Sequence, residues 1–280
     1  MLKIRILTAL VLLPAAIYLL FGMSSLAFAA VAAILVMVGC WEFRRLAGLG
    51  TGPGTWLLLA LEAGVLAWLF LDWQNWTRDP VPVFALACLA WGVMFMQLWS
   101  WQPERKVDTA WRIRGFLNAF GVMTLGWMSL TWLRVGDAAP GEPSNGEWWL
   151  LLLLLTIWAA DVGAYFTGRA VGGAKLAPKI SPGKTRAGLY GGLVLAAIIA
   201  PTAAWLIPAL PTAPLQITLL AIVTALASVG GDLFISLHKR TVGIKDTGRI
   251  FPGHGGVLDR LDSLLAGAPF FVLGKLLAGL

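Results

Sequence analysis

Long apolar runs dominate this chain, and no other feature narrows the available folds so far. A helix crosses a bilayer with about 20 mostly apolar residues, fewer where flanking side chains snorkel. The 280-residue chain offers nine such runs: 5–23, 25–42, 54–72, 81–100, 115–134, 147–167, 187–207, 214–237 and 263–280, the last short and rich in glycine. They are too long for strands and lack period-two alternation, so a membrane β-barrel does not fit. With 59% hydrophobic and only 12% charged residues, the composition lies far from that of soluble domains, which are roughly a quarter charged. The fold predicted is all-α, a polytopic integral membrane protein of about nine transmembrane helices. The basic start MLKIR before an apolar run resembles a signal peptide, but it has no convincing cleavage site and reads as a retained first helix. Cys40 and Cys88 both sit inside apolar runs, which excludes a disulfide framework, and no Cys/His metal spacing occurs. No internal repeat of the transporter kind is visible.

Orientation follows from the basic residues. If Lys3 and Arg5 are cytoplasmic, alternation of the spans leaves only Arg78, Arg134 and Lys275 of the 21 Lys/Arg on the far side. That asymmetry follows the positive-inside rule and asks for an odd number of spans. The net charge of +7 therefore suits anionic headgroups and cytoplasmic loops better than nucleic acid. The far-side loops, 136–147 and 208–214, are acidic or neutral. Many of the 15 tryptophans, such as Trp73, Trp76, Trp99, Trp101, Trp148 and Trp149, stand at segment ends as an interfacial belt would.

The two halves read differently: 1–135 as scaffold, 136–280 as the catalytic region. In the first half Glu62 is the exception, because a carboxyl at bilayer depth costs a few kcal/mol on insertion scales. It is either a site residue or, the weightier reading without a charged partner nearby in sequence, a carboxyl bonded to a neighbouring helix. Residues 101–114 read as an interfacial amphipathic segment.

Polar chemistry gathers in the second half. Asp161, Tyr165 and Arg169, spaced i, i+4 and i+8, share one helix face. The loop 172–188 sets Lys175, Lys179, Ser181, Lys184, Thr185 and Arg186 among glycines and prolines. It is either a plain positive-inside loop or a cradle for a triphosphate. Its GKT is not a P-loop, since the required first glycine falls on Pro178 and no strand precedes it. Ser228, Asp232 and Ser236 form a stripe on the next apolar helix, with Lys239 and Arg240 at its exit. Lys245, Asp246, FPGHGG with His254, and then Asp259, Arg260 and Asp262 follow within residues 231–262. Asp259 and Asp262 share a face if VLDRLDS begins a helix. Separated hard-oxygen carboxylates suit Mg²⁺, which takes one or two of them plus substrate phosphates, and the surrounding cations suit a substrate with several phosphoryl charges. At a membrane face the combination points to phosphoryl or nucleotidyl transfer on a lipid phosphate.

Three rivals fit less well. A transporter or channel would explain Glu62, Asp161 and Asp232, but it predicts charges spread along several helices at depth. A lipid phosphatase reading of FPGHGG wants a second histidine downstream, and none follows His254. The clustered aspartate pattern of CDP-alcohol phosphotransferases is missing.

The run S-x-x-KR-x4-KD-x-G-x2-F-P-x-HGG-V-x-DR-L-D, Ser236 to Asp262, resembles the signature of bacterial phosphatidate cytidylyltransferases, the CDP-diacylglycerol synthases. D-x-x-A-Y-x-x-G-R, Asp161 to Arg169, and ISP-x-KT, Ile180 to Thr185, are similar to that family too. The resemblance is sharp over about residues 156–262 and hydropathic before that. It implies CTP plus phosphatidate giving CDP-diacylglycerol plus pyrophosphate, in a bacterial inner membrane with a cytoplasmic-face active site, with Mg²⁺ and a monovalent cation such as K⁺. A homodimer is implied by the family only. On these residues it implies Asp232 and Asp259 as metal ligands, with Asp246 and Asp262 as weaker candidates, and Asp232, Lys239 and Asp259 as the catalytic set. Lys239, Arg240, Lys245 and Arg260 would hold the triphosphate and the lipid headgroup, Ser181 and Lys184 would close over the nucleotide, and Ser236 would orient an oxygen. Asp161 would line the substrate site. His254 is either a phosphate donor or a turn residue. His238, in a slot expected to be apolar, and Ala187, where the family has glutamate, depart from the pattern.

Overall fold

A computed structural model describes residues 10–11, 13–135, 145–253 and 255–280. Lys3, Arg5, His254 and most of the acidic loop 136–147 lie outside the described residues. The helices are α1 (Leu13–Gly22, its last turn a π-helix), α2 (Ser25–Leu46), α3 (Pro53–Leu71), the single turn α4 (Trp73–Trp76), α5 (Pro80–Ser100) and α6 (Thr109–Val135). They continue with α7 (Gly146–Val171), α8 (Arg186–Leu206), α9 (Pro214–Thr241) and α10 (Leu258–Leu277). Starts follow local chemistry. Pro53, Pro80 and Pro214 occupy first-turn positions where no N–H is needed. The Asp108 carboxylate accepts from Trp111 N at 2.7 Å, and Thr185 Oγ1 from Gly188 N at 3.0 Å, each satisfying an orphan donor.

Among the described residues seven helices (α2, α3, α5 to α9) are long and apolar enough to cross a membrane. α10 matches the ninth predicted segment but begins five residues earlier and carries Asp259 and Asp262 inside it. Two other sequence expectations shift. Residues 109–114 are the first turns of α6 rather than part of a separate interfacial segment, because Asp108 caps the helix there. The basic loop 172–188 contains an antiparallel hairpin, β1 (Lys175–Ala177) with β2 (Ser181–Thr185), a small exception to the all-α expectation. Its turn is Ala177-Pro178-Lys179-Ile180, closed by Ile180 N donating to Ala177 O at 3.2 Å; proline at the second position presets that turn.

Lipid-facing positions such as Leu71, Leu86, Trp99 and Trp205 are exposed apolar groups, which in a bilayer is the favourable placement. Inside, packing relies on aromatics and small residues. Trp91, Phe234, Phe84 and Trp132 meet edge to face. α7 and α8 approach at backbone distance: a Cβ at Gly192 would stand 2.6 Å from Ala160 O, and one at Gly188 2.8 Å from Ala164 O. Spaced four apart, these two glycines are the small-residue motif that lets membrane helices touch. Some buried polar groups are paired across helices. Both Glu62 oxygens accept from Thr124 Oγ1 at 3.2 Å, and Trp127 Nε1 donates to Ala29 O at 3.0 Å.

Helix alternation gives the bundle two polar ends. At one end Trp111 Nε1 donates to Leu46 O, Trp101 Nε1 to Thr241 Oγ1 and Arg240 Nε to Ile180 O. At the other, Arg134 reaches Met23 O and Glu147, and Asn145 Nδ2 donates to Ala209 O. The polar constellation of the second half sits at the first end.

Candidate functional site

The site is built where α9 crosses α10. A Cβ at Gly231 would lie 2.7 Å from Asp262 O and collide with the Ala266 methyl, so the two backbones touch there. That contact brings the next residue, Asp232, near enough to Asp262 for the two carboxylates to interact electrostatically. Asp232 Oδ2 pairs with Lys184 Nζ at 2.5 Å, and Oδ1 accepts from Ser236 Oγ at 3.3 Å. Asp259, in the first turn of α10, is held on both oxygens. Oδ1 accepts from Lys239 Nζ at 2.8 Å; Oδ2 accepts from Thr247 N at 2.8 Å and Gly256 N at 2.9 Å. Lys239 also acts electrostatically on Asp232 and Asp262. One buried ammonium group thus stands among three aspartates. Among the described residues, no three carboxylate, histidine or cysteine side chains close around a metal position by themselves.

Beside this crossing lies a cavity of about 430 Å³, walled by Asp161, Tyr165 and Arg169 of α7, by Lys184 and Thr185 of β2, and by Gly188 of α8. The i, i+4, i+8 set predicted on one helix face therefore lines one chamber. Arg169 donates to Tyr165 Oη at 3.0 Å, and Asp161 feels the charges of Lys184, Asp232 and Arg260. The hairpin forms one wall and is anchored from behind: Ile180 is buried against Trp111, Leu233 and Leu237, and Arg240 Nε grips the Ile180 carbonyl at 3.1 Å. Lys184 is thereby carried from the loop to Asp232.

The structure brings Asp161, Lys184, Asp232, Ser236, Lys239, Asp259, Arg260 and Asp262 to one end of α7, α9 and α10. Arg240 belongs to the hairpin anchor. Ser181 opens β2, paired with Ala177, outside the cavity wall. Lys245 and Asp246 are exposed on the loop before α10. His254 lies outside the described residues. Ser228 turns its hydroxyl to Ala225 O at 2.8 Å within its own helix. His238 is a core residue with both ring nitrogens bonded, to Phe234 O at 2.9 Å and Asn118 Nδ2 at 3.2 Å. Phe43, Trp111 and Phe234 surround it. The carbonyl partner places the proton on Nδ1 and leaves Nε2 to accept.

Sequence reading missed Glu42. At the end of α2 and 3% exposed, it accepts from Thr247 Oγ1 at 2.8 Å, Val257 N at 3.1 Å and Leu258 N at 2.9 Å. A carboxylate from one helix thus caps the N-terminus of another, where orphan N–H groups and the helix dipole favour negative charge. The fit needs glycine: a Cβ at Gly256 would run into the Glu42 carboxylate. Arg45 Nη1 adds a bond to Thr247 O at 3.3 Å. Thr247 therefore joins Glu42 and Asp259, and the loop before α10 is set from both sides. In sequence Glu42 is a charge at the end of an apolar run beside two arginines, which reads as an ordinary interfacial residue.

Comparison with known proteins bears on the whole chain. Residues 3–276 match the cytidylyltransferase family. The chain is 35% identical to a phosphatidate cytidylyltransferase of Haemophilus influenzae, over 97% of each chain. It is 37% identical to one of Pseudomonas aeruginosa, over 97% of this chain and 96% of that one. A Brucella suis relative of the same name is 34% identical over 74% of this chain and 71% of its own.

Proposed function

The chain belongs to the cytidylyltransferase family, and we propose that it is the enzyme that turns CTP and phosphatidate into CDP-diacylglycerol and pyrophosphate. A phosphatidate oxygen forms a bond to the α-phosphorus of CTP while the bond from that phosphorus to the bridging oxygen breaks, and pyrophosphate leaves in line. Such transfer asks mainly for positioning and charge neutralisation. The observation that carries the reading is the pair of lysine–aspartate contacts, Lys184–Asp232 and Lys239–Asp259, where α9 meets α10, with Lys184 also lining the neighbouring cavity beside Asp161. Triphosphate oxygens compete with the aspartates for Lys184, whose side chain is 29% exposed. Tyr165 and Arg169 offer a ring face, a hydroxyl and a fixed cation to the nucleoside side of the cavity. Arg260 meets the lipid phosphate.

Asp232 and Asp262, with the Ser236 hydroxyl, make an oxygen-only donor set suited to Mg²⁺, which keeps room for phosphate and water ligands. We assign these two carboxylates as its holders. Asp259, bonded by Lys239 and two backbone amides, sets the start of α10 and the position of Lys239 beside them, with Asp246 an outer candidate. When bound, the ion would supply charge neutralisation at the transferring phosphoryl group. K⁺ as a second ion, a homodimer, and the bacterial inner membrane with the site on the cytoplasmic face extend the same reading. The last rests on the basic residues gathered at the site's end of the bundle.

The test is direct. Purified protein in detergent, given labelled CTP, phosphatidate and Mg²⁺, should form CDP-diacylglycerol and pyrophosphate in equal amounts. No product from folded protein would overturn the assignment. Accessibility of cysteines introduced at Lys245 and at Arg78, probed from either side of oriented vesicles, checks the topology.

A further inference from the structure

We propose that an apolar crevice lined in part by Arg260 holds an acyl chain of the lipid substrate, and so sets chain-length preference. The inference rests on the phosphatidate reading above. The crevice, about 230 Å³, runs between α1, α2, α6, α7 and α10, with Ala16, Ala32, Leu130, Trp158 and Leu264 on its walls. Among the described residues Arg260 is the one charged residue that lines it, and it stands next in sequence to Asp259.

Two observations tie the crevice to the reaction site rather than to a random gap in the lipid-facing surface. Arg260 lines it and also acts electrostatically on Asp161, which lines the polar cavity. Trp158 and Asp161, three residues apart on α7, face the crevice and the cavity respectively. The crevice and the cavity thus adjoin along α7, with the Arg260 guanidinium on the crevice wall and within electrostatic reach of Asp161. A lipid phosphate matches that order: hydrocarbon along the crevice, phosphate at Arg260, and its attacking oxygen turned toward the nucleotide. An uncharged lipid has nothing for Arg260, and free phosphate has no use for the crevice. The walls at Ala16 and Ala32 are methyl groups, which leave room for a chain that larger side chains would fill.

Filling the crevice should change lipid discrimination and leave the nucleotide alone. Ala32→Trp and Leu35→Trp are to be compared with Leu61→Trp, which adds similar bulk on the exposed face of α3. With dioleoyl phosphatidate in mixed micelles the two crevice variants should raise KM about tenfold, with the KM for CTP within about twofold of wild type. With dioctanoyl phosphatidate the rise should be smaller, and Leu61→Trp should change neither. Equal effects on both chain lengths, or none, overturn the crevice while leaving the enzyme assignment intact; wild-type protein inactive with every phosphatidate overturns that assignment instead. Should the tryptophan variants fail to fold, wild-type protein labelled by a phosphatidate with a diazirine in its acyl chain decides. Adducts on α2 and α7 residues of the crevice, competed by unlabelled phosphatidate but not by phosphatidylcholine, support it. Label spread over the lipid-facing helices without competition overturns it.

Discussion

The two halves of the bundle set their carboxylates in different company. In the first half, Glu62 meets the Thr124 hydroxyl, and Glu42 meets a hydroxyl and two backbone amides. In the second half, Asp232 and Asp259 each bind a lysine, and a polar cavity opens beside them. A buried carboxylate bonded by neutral donors ties elements together. Carboxylates interleaved with ammonium groups beside open space hold charge that an incoming anion can rearrange. A charged residue at membrane depth therefore does not announce a reaction; its partners and the neighbouring volume decide.

Substitutions test that contrast, beginning with the strongest. Asp232→Asn should lower turnover at least about a hundredfold while thermal unfolding in detergent stays close to wild type. Normal turnover would remove Asp232 from the chemistry. Asp259→Asn should abolish turnover and also destabilise by about 1–3 kcal/mol, since it breaks the Lys239 bond and unsettles the loop start of α10; a variant that works normally would show that Lys239 needs no such partner. Lys184→Gln should raise the KM for CTP about tenfold to a hundredfold by removing a charge-assisted phosphate contact, read by steady-state kinetics at saturating lipid. An unchanged KM would leave Lys184 as a structural partner of Asp232.

Glu42→Gln keeps the shape but loses the charge at the N-terminus of α10 and turns an NH2 toward a donor that the carboxylate accepted, at about 1–3 kcal/mol. A several-fold fall in kcat with little change in either KM would mark it as a positioning residue. A loss of turnover as deep as that of Asp232→Asn would erase the contrast drawn here. Smallest of all, Glu62→Gln should leave turnover within about twofold and stability within about 1 kcal/mol, because Thr124 can donate to an amide oxygen as it does to a carboxylate. Loss of activity there would revive an ion path through the first half.

Much of this was legible in the residues. The spans follow from apolar length, since a bilayer core offers backbone groups no partner but the helix itself. The α7 face of Asp161, Tyr165 and Arg169 followed from helical spacing, and the cluster from Asp232 to Asp262 from its density of charge. The hairpin at 175–185 escaped, because a three-residue strand flanked by glycine and proline leaves no periodicity to read. His238 looked anomalous on an apolar helix, and only Asn118, 120 residues away, explains it.

By itself the sequence determined that this is a helical membrane protein, which end of the bundle is basic, and which stretch gathers its charged side chains. All three depend on composition and near-neighbour spacing. Only tertiary structure decided that Asp232 comes within electrostatic reach of Asp262 where α9 and α10 touch at Gly231, that Lys184 crosses from the hairpin to Asp232, and that Glu42 reaches residues more than 200 positions away. Those partners are chosen by how helices pack and where a missing Cβ lets backbones meet, and no local pattern encodes that choice.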